Sequence, residues 1–150
     1  MQKQKNGFTF IEVLIAMALI AMLASVVIVA ANPARQFATG RNTKRWEGVN
    51  SVLNAVHQNL VDNGGVFTCA FPIPTTTATV IKKTGGVDLC SCLVPDFVAG
   101  MPYDPNASGA SYTDCSNYDT GYTIIQSTTT GRITVAAPSA ELSATIEVER

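Results

Sequence analysis

The residue with the most chemistry in this chain is a lone carboxylate in an apolar stretch. Between Phe8 and Ala31, 21 of 24 residues are apolar, and Glu12 is the only charge among them. An acid at the centre of a membrane helix costs roughly 2.5–3.5 kcal/mol, so intramembrane acids have a partner and a task. Near a helix start the macrodipole offsets part of that cost. The block itself supplies no cation, and the next one along the chain is Arg35. Cutting the backbone after Gly7 would create one, a free α-amino group on Phe8. If copies of the chain stack with an axial offset, the ammonium of one meets Glu12 of its neighbour. Gly7 suits a scissile position, because a missing side chain allows close approach to the backbone.

Twenty-four helical residues reach about 36 Å at 1.5 Å per residue, against a hydrocarbon core about 30 Å thick. The block is thus long enough to span a bilayer once, and no second long apolar run follows it. Cleavable secretory signals have an apolar region of about 7–15 residues, shorter than this one. A plain signal anchor holding a monomeric binding module is the blander alternative, with Gly7 and Glu12 incidental. Lys3 and Lys5 precede the block, and Arg35, Arg41, Lys44 and Arg45 follow it. That count opposes the positive-inside rule for a cytoplasmic N-terminus. The outer cations are therefore expected to face anionic headgroups or acidic surfaces of neighbouring copies.

The octapeptide Gly7-Phe8-Thr9-Phe10-Ile11-Glu12-Val13-Leu14 resembles the cleavage and methylation motif of type IV pilin-like proteins. The resemblance implies a prepilin peptidase that cuts between Gly7 and Phe8 on the cytoplasmic side and N-methylates Phe8. It implies a single-pass protein stored in the cytoplasmic (inner) membrane, N-terminus cytoplasmic and head extracytoplasmic. The mature chain would then enter a helical homopolymer, periplasmic or at the cell surface, with Glu12 neutralising the neighbouring N-terminus. An assembly platform protein and an assembly ATPase are the further partners it implies. Arg45-Trp46-Glu47-Gly48-Val49, Leu93-Val94-Pro95, Pro102-Tyr103-Asp104-Pro105 and Asp119-Thr120-Gly121-Tyr122-Thr123-Ile124 look like a narrower branch. That branch is similar to the major pseudopilin of type II secretion. A type IV pilus major or minor pilin, for adhesion, motility or DNA uptake, is the alternative. With a net charge of −1, no nucleic-acid contact is expected outside a DNA-uptake pilus.

These residues need a scaffold, and the pattern after Pro33 provides one. Trp46, Val49, Leu53, Val56 and Leu60 fall at spacings of 3, 4, 3 and 4, an apolar helical stripe read as core. Arg45, Glu47, Asn54 and Gln58 lie away from it. Asp62-Asn63-Gly64-Gly65 is a stop signal. One long helix, bent or re-started at Pro33, is expected from about Phe8 to Asp62. Tyr122–Gln126 and Arg132–Ala136 read as a hairpin around Ser127–Gly131, Thr145–Glu149 as a half-exposed strand, and Thr77–Lys82 as a weaker one. The expected fold is α+β, a long N-terminal helix packed on a small antiparallel sheet. Its expected parts are a leader (1–7), a transmembrane and polymerisation helix (8–31), an amphipathic half (32–63) and a β-rich head (64–150).

Cys69, Cys90, Cys92 and Cys115 all fall in that head, and an even count outside the cytoplasm favours disulfides. Cys90 and Cys92 are too close in sequence to pair well with each other. Two connectivities remain: Cys69–Cys90 with Cys92–Cys115, or Cys69–Cys92 with Cys90–Cys115. A four-thiolate zinc site lacks its usual spacing. Asp104, Asp114 and Asp119, in a loop rich in Asn and Ser, are candidate calcium ligands, although such loops are usually turns. The only histidine, His57, sits in no catalytic motif and near no metal-ligand pattern. The chain is expected to be structural and not an enzyme.

Overall fold

The computed structural model describes residues 7–150; Lys3, Lys5 and the rest of the expected leader before Gly7 lie outside the described residues. Two helices open the chain, α1 (Phe10–Ala31) and α2 (Pro33–Asp62). They are followed by β1 (Thr79–Lys82), a short helix α3 (Cys90–Leu93), β2 (Ser111–Asp114), β3 (Asn117–Gln126), β4 (Ile133–Ala136) and β5 (Glu147–Glu149). The expected single helix is thus two. Asn32 separates them with φ +41°, a left-handed conformation that Asn tolerates as a helix end. The same residue starts α2: its carbonyl accepts from the Arg35 and Gln36 amides, and its side-chain oxygen accepts from Arg35. Pro33 then fills the first helical position, where no backbone donor is missed.

The chain divides into one unit ending at Phe37 and a second, Ala38–Arg150. In the first, α1 has no buried residue. Its large apolar side chains, from Phe10 at 81% to Val29 at 82%, are all exposed. At about 1.5–3 kcal/mol per such side chain, leaving this surface in water forfeits tens of kcal/mol. That exceeds the roughly 5–15 kcal/mol by which a domain is stable. Water is not the medium of α1, and its 22 residues are long and apolar enough to cross a membrane.

In the second unit, α2 packs on a five-stranded antiparallel sheet, so the fold is α+β. β3 is the organising strand: it pairs with β1, β2 and β4, and β4 pairs with β5. Val49, Val52, Leu53 and Val56 of α2 meet Tyr122 and Ile124 of β3 and Ile133 and Val135 of β4. The β3–β4 hairpin, β1 and β5 overlap the expected strands, but β3 begins at Asn117, five residues before the expected start, and β1 and β5 each begin two residues later than expected. β2 and α3 were not expected, because both lie in stretches whose Ser, Asp and Cys content signals turns.

The buried face of α2 keeps Val49, Leu53 and Val56 of the expected stripe and departs from it elsewhere. Ala38, Asn42, Arg45, Val49, Val52, Val56 and Asn59 are buried, at alternating spacings of 4 and 3. Trp46, expected in the core, is 41% exposed, while Arg45, expected outside, is fully buried. The cause is a charge partner that local periodicity cannot register. The Arg45 guanidinium binds both Asp104 carboxylate oxygens, at 2.7 and 3.0 Å, and reaches Glu141 at 2.9 Å. Two glycines make this junction possible. A Cβ on Gly48 would lie 2.5 Å from the Tyr122 hydroxyl, so its absence lets the phenol lie against α2. Gly121 has φ +70° inside β3, and a Cβ there would stand 3.1 Å from those of Asp104 and Ala107.

Removing one partner of a buried ion pair strands the other charge. Asp104→Ala is expected to destabilise the head by about 3–5 kcal/mol, and Arg45→Met with Asp104→Leu by clearly less. Denaturant unfolding of the full chain in detergent measures both; equal losses would contradict the pairing.

Candidate functional site

The candidate site is the start of α1. Thr9 has extended backbone (φ −79°, ψ 153°) and caps the helix. Its hydroxyl oxygen accepts the Glu12 amide at 3.3 Å, and the Thr9 amide donates to Glu12 Oε2 at 3.4 Å. This reciprocal capping box satisfies two donors that would otherwise be orphaned at the helix end. Glu12 therefore has a local structural role beside any intermolecular one. It holds its carboxylate at the positive end of the helix dipole, with Oε1 making no hydrogen bond among the described residues. Phe8, Glu12, Val13, Ala16, Met17 and Ile20 line one shallow recess, so the residue after Gly7 and the carboxylate share a surface. Thr9 is a functional residue the sequence reading passed over, although Ser/Thr-x-x-Glu before an apolar run is a legible signature.

Residues 2–28 match the family profile described as the prokaryotic N-terminal methylation motif. The chain carries a prepilin-type signal. Comparison with curated proteins and with solved structures returns no match. The prepilin signal marks type IV pilin-like proteins, and such proteins are structural subunits, processed by a prepilin peptidase and assembled into filaments. The apolar α1, most of which lies within the matched residues, is consistent with a single-pass membrane anchor.

Elsewhere, the candidate residues separate into different environments. The structure pairs Cys69 with Cys92 and Cys90 with Cys115, at Cα separations of 5.4 and 5.3 Å. Both bridges pass through α3 and close loops for which a stabilisation of roughly 2–4 kcal/mol each is typical. Beside them, the Tyr118 hydroxyl donates to Asp88 at 2.8 Å and accepts from the Leu89 and Cys90 amides. Burial alone would raise the pKa of Asp88, but hydrogen bonds from Lys83 and Tyr118 outweigh it and hold the carboxyl below its ordinary value.

The three calcium candidates do not converge. Asp104 is occupied by Arg45 and by the Asn106 and Ala107 amides. Asp114 accepts from Ser116 and Asn117, and Asp119 accepts from Gly121 and lies 3.9 Å from Lys82. Among the described residues no group of three or more His, Cys, Asp or Glu is placed to hold a metal ion. Each of these carboxylates closes a turn of its own loop. His57 is half-buried.

Two of the cations after the apolar block are also spoken for. Arg41 grips Glu141 through two contacts of 2.6 Å, and Arg45 shares the same carboxylate. Asn42 holds the Glu141 backbone, donating to its carbonyl at 2.8 Å and accepting its amide at 3.0 Å. Two of the four cations expected to face headgroups or neighbours thus bind their own head. Glu141 was not singled out from sequence.

Hydrogen bonds from Arg41, then Arg45, pull the Glu141 pKa from its ordinary 4.5 down to about 2. A depressed acid contributes stability above its unfolded pKa and loses it as pH falls through the folded one. The unfolding midpoint in detergent is therefore expected to drop between about pH 4.5 and 2, with the lowered Asp88 and Asp114 acting in the same direction. Glu141→Gln is expected to flatten that drop; an unchanged profile would remove Glu141 from the account. Millimolar calcium is expected to leave the midpoint where it is, and a rise would restore the calcium reading.

Proposed function

We propose that the chain is a structural subunit of a type IV pilus-like filament, specifically the major pseudopilin of a type II protein secretion system. Glu12 carries the proposal: it is the one charge in an apolar helix with no buried residue, and it lies inside the residues that match the prepilin-type motif. In this reading a prepilin peptidase cuts after Gly7 on the cytoplasmic face and N-methylates Phe8. The new ammonium is the missing cation. In the fibre it meets Glu12 of the adjacent copy, and the two charges are removed from hydrocarbon together. The capping box prepares the carboxylate for this, keeping Oε2 on the Thr9 amide and leaving Oε1 for the neighbour. The inner membrane stores the subunit with its head outside. A platform protein and an ATPase move it into a fibre whose packed helices replace lipid as the solvent of α1.

The pseudopilin assignment rests on resemblance together with one structural convergence. Arg45, Asp104 and Gly121 come from three of the four resembling segments and meet at the buried junction under α2. A fibre of such subunits pushes folded cargo outward as it grows. Loss of the chain should then stop export of that cargo; loss of surface motility or DNA uptake instead would assign it to a pilus.

Co-expression with a prepilin peptidase is expected to yield a chain starting at N-methylated Phe8, read by mass spectrometry. Glu12→Val is expected to be cut normally yet to lower fibre yield at least about tenfold, since the amine then has no counter-charge in hydrocarbon. Wild-type fibre yield from Glu12→Val would contradict the mechanism.

A further inference from the structure

Once the ion pairs of the head are drawn, its leftover charges are few and lopsided. Lys44 and Arg150 are exposed with no acid within 4 Å among the described residues, whereas Glu47, Asp62, Asp96, Asp114 and Glu147 are exposed acids without a cation; Arg150 already holds Asn54 and Asp114 its own turn. Lys44 and Asp62 both lie on α2, eighteen residues apart. Eighteen residues make five full turns and about 27 Å, so the two side chains stand on one stripe at opposite ends. Each end also has an apolar complement. Beside Lys44, α2 borders a groove of about 520 Å³ walled by Met101, Pro102, Tyr103 and Pro105. Flanking Asp62, Val61 and Val66 are 77% and 66% exposed.

We propose that this stripe docks a second copy of the chain, the Asp62 end of one copy fitting the Lys44 end of the next. The helix end of one copy, Val61 and Asp62 with Val66 beyond the cap, seats against the Lys44 groove of a parallel copy staggered by about 27 Å. Asp62 pairs with Lys44, and the valines cover the groove wall. Glu47 fixes the register. Lying about one turn above Lys44, it faces the uncharged Asn63-Gly64-Gly65 cap in the proposed alignment, and a one-turn slip would set it against Asp62. Like charges brought together in this way suppress wrong registers. A parallel, staggered arrangement leaves one donor end and one acceptor end free, so it propagates as a fibre instead of closing as a dimer. The inference rests on the filament reading and adds to it a head-to-head contact independent of α1.

Charge exchange tests it in the full chain. Lys44→Glu and Asp62→Lys are each expected to lower the yield of sedimentable fibres, checked by electron microscopy, by about tenfold. The double swap is expected to restore most of that yield, because the pair is re-formed with reversed sign. A swap no better than either single reversal, or single reversals at wild-type yield, would overturn the proposal. Should a reversal lower the unfolding midpoint in detergent, Lys44→Gln and Asp62→Asn replace it in the same cycle: coupled effects uphold the contact and additive effects overturn it. A wild-type chain that is cut by the peptidase and still forms no fibre removes the filament reading, and this contact with it.

Discussion

A helix of 22 residues with nothing buried must be given its solvent by something outside the chain. That constraint shapes the rest of the molecule. It forbids free existence in water, and it accounts for the absence of charge from Phe8 to Ala31 apart from Glu12. Two media meet the need, a bilayer and a bundle of the same helices, and the difference between them is what each offers the carboxylate. Lipid offers only the helix dipole and the Thr9 amide. In the proposed filament, a bundle of staggered, processed copies offers the Phe8 ammonium of a neighbour. A protein that must leave one medium for the other needs a group whose cost falls on transfer, and a single acid near the N-terminus is the smallest such device.

The head solves a different problem with opposite means. Its core is small, and one side of α2 is polar near its start: Asn42 and Arg45 are buried there, before Val49 and Val52 begin the apolar part. Burying a guanidinium costs several kcal/mol unless its donors are met. Here Asp104, Asn42 and Glu141 meet them, and the backbone on either side of Glu141 is pinned by the same Asn42. Arg45 therefore ties three stretches of chain together: α2, the loop before β2 and the segment between β4 and β5. The two disulfides do similar work at the other side of the core, around α3. With these ties, 113 residues hold loops that carry little regular structure.

Local patterns and long-range partners divide what could be read in advance. The prepilin signal, α2 and the alternating strands are legible because each is written within a dozen or so neighbouring residues. Arg45 was misplaced because its acids lie 59 and 96 positions away. Trp46 followed from the same slip, since rotating the helix to bury Arg45 turns the indole outward. The loop acids stand out as calcium candidates by composition, which does not show that each also caps its own turn. The cysteine pairing stayed open for the same reason: Cys90 and Cys92 both flank Ser91, and only the path of α3 decides which reaches Cys115.

The central claim is that Glu12 changes partners when the chain changes medium. A fibre of processed subunits imaged at side-chain resolution measures this directly. In that fibre α1 is expected in the core, with the Glu12 carboxylate within about 4 Å of the N-methylated Phe8 amine of an adjacent copy. A fibre in which α1 lies outside the core, or in which Glu12 faces only its own Thr9, would contradict it.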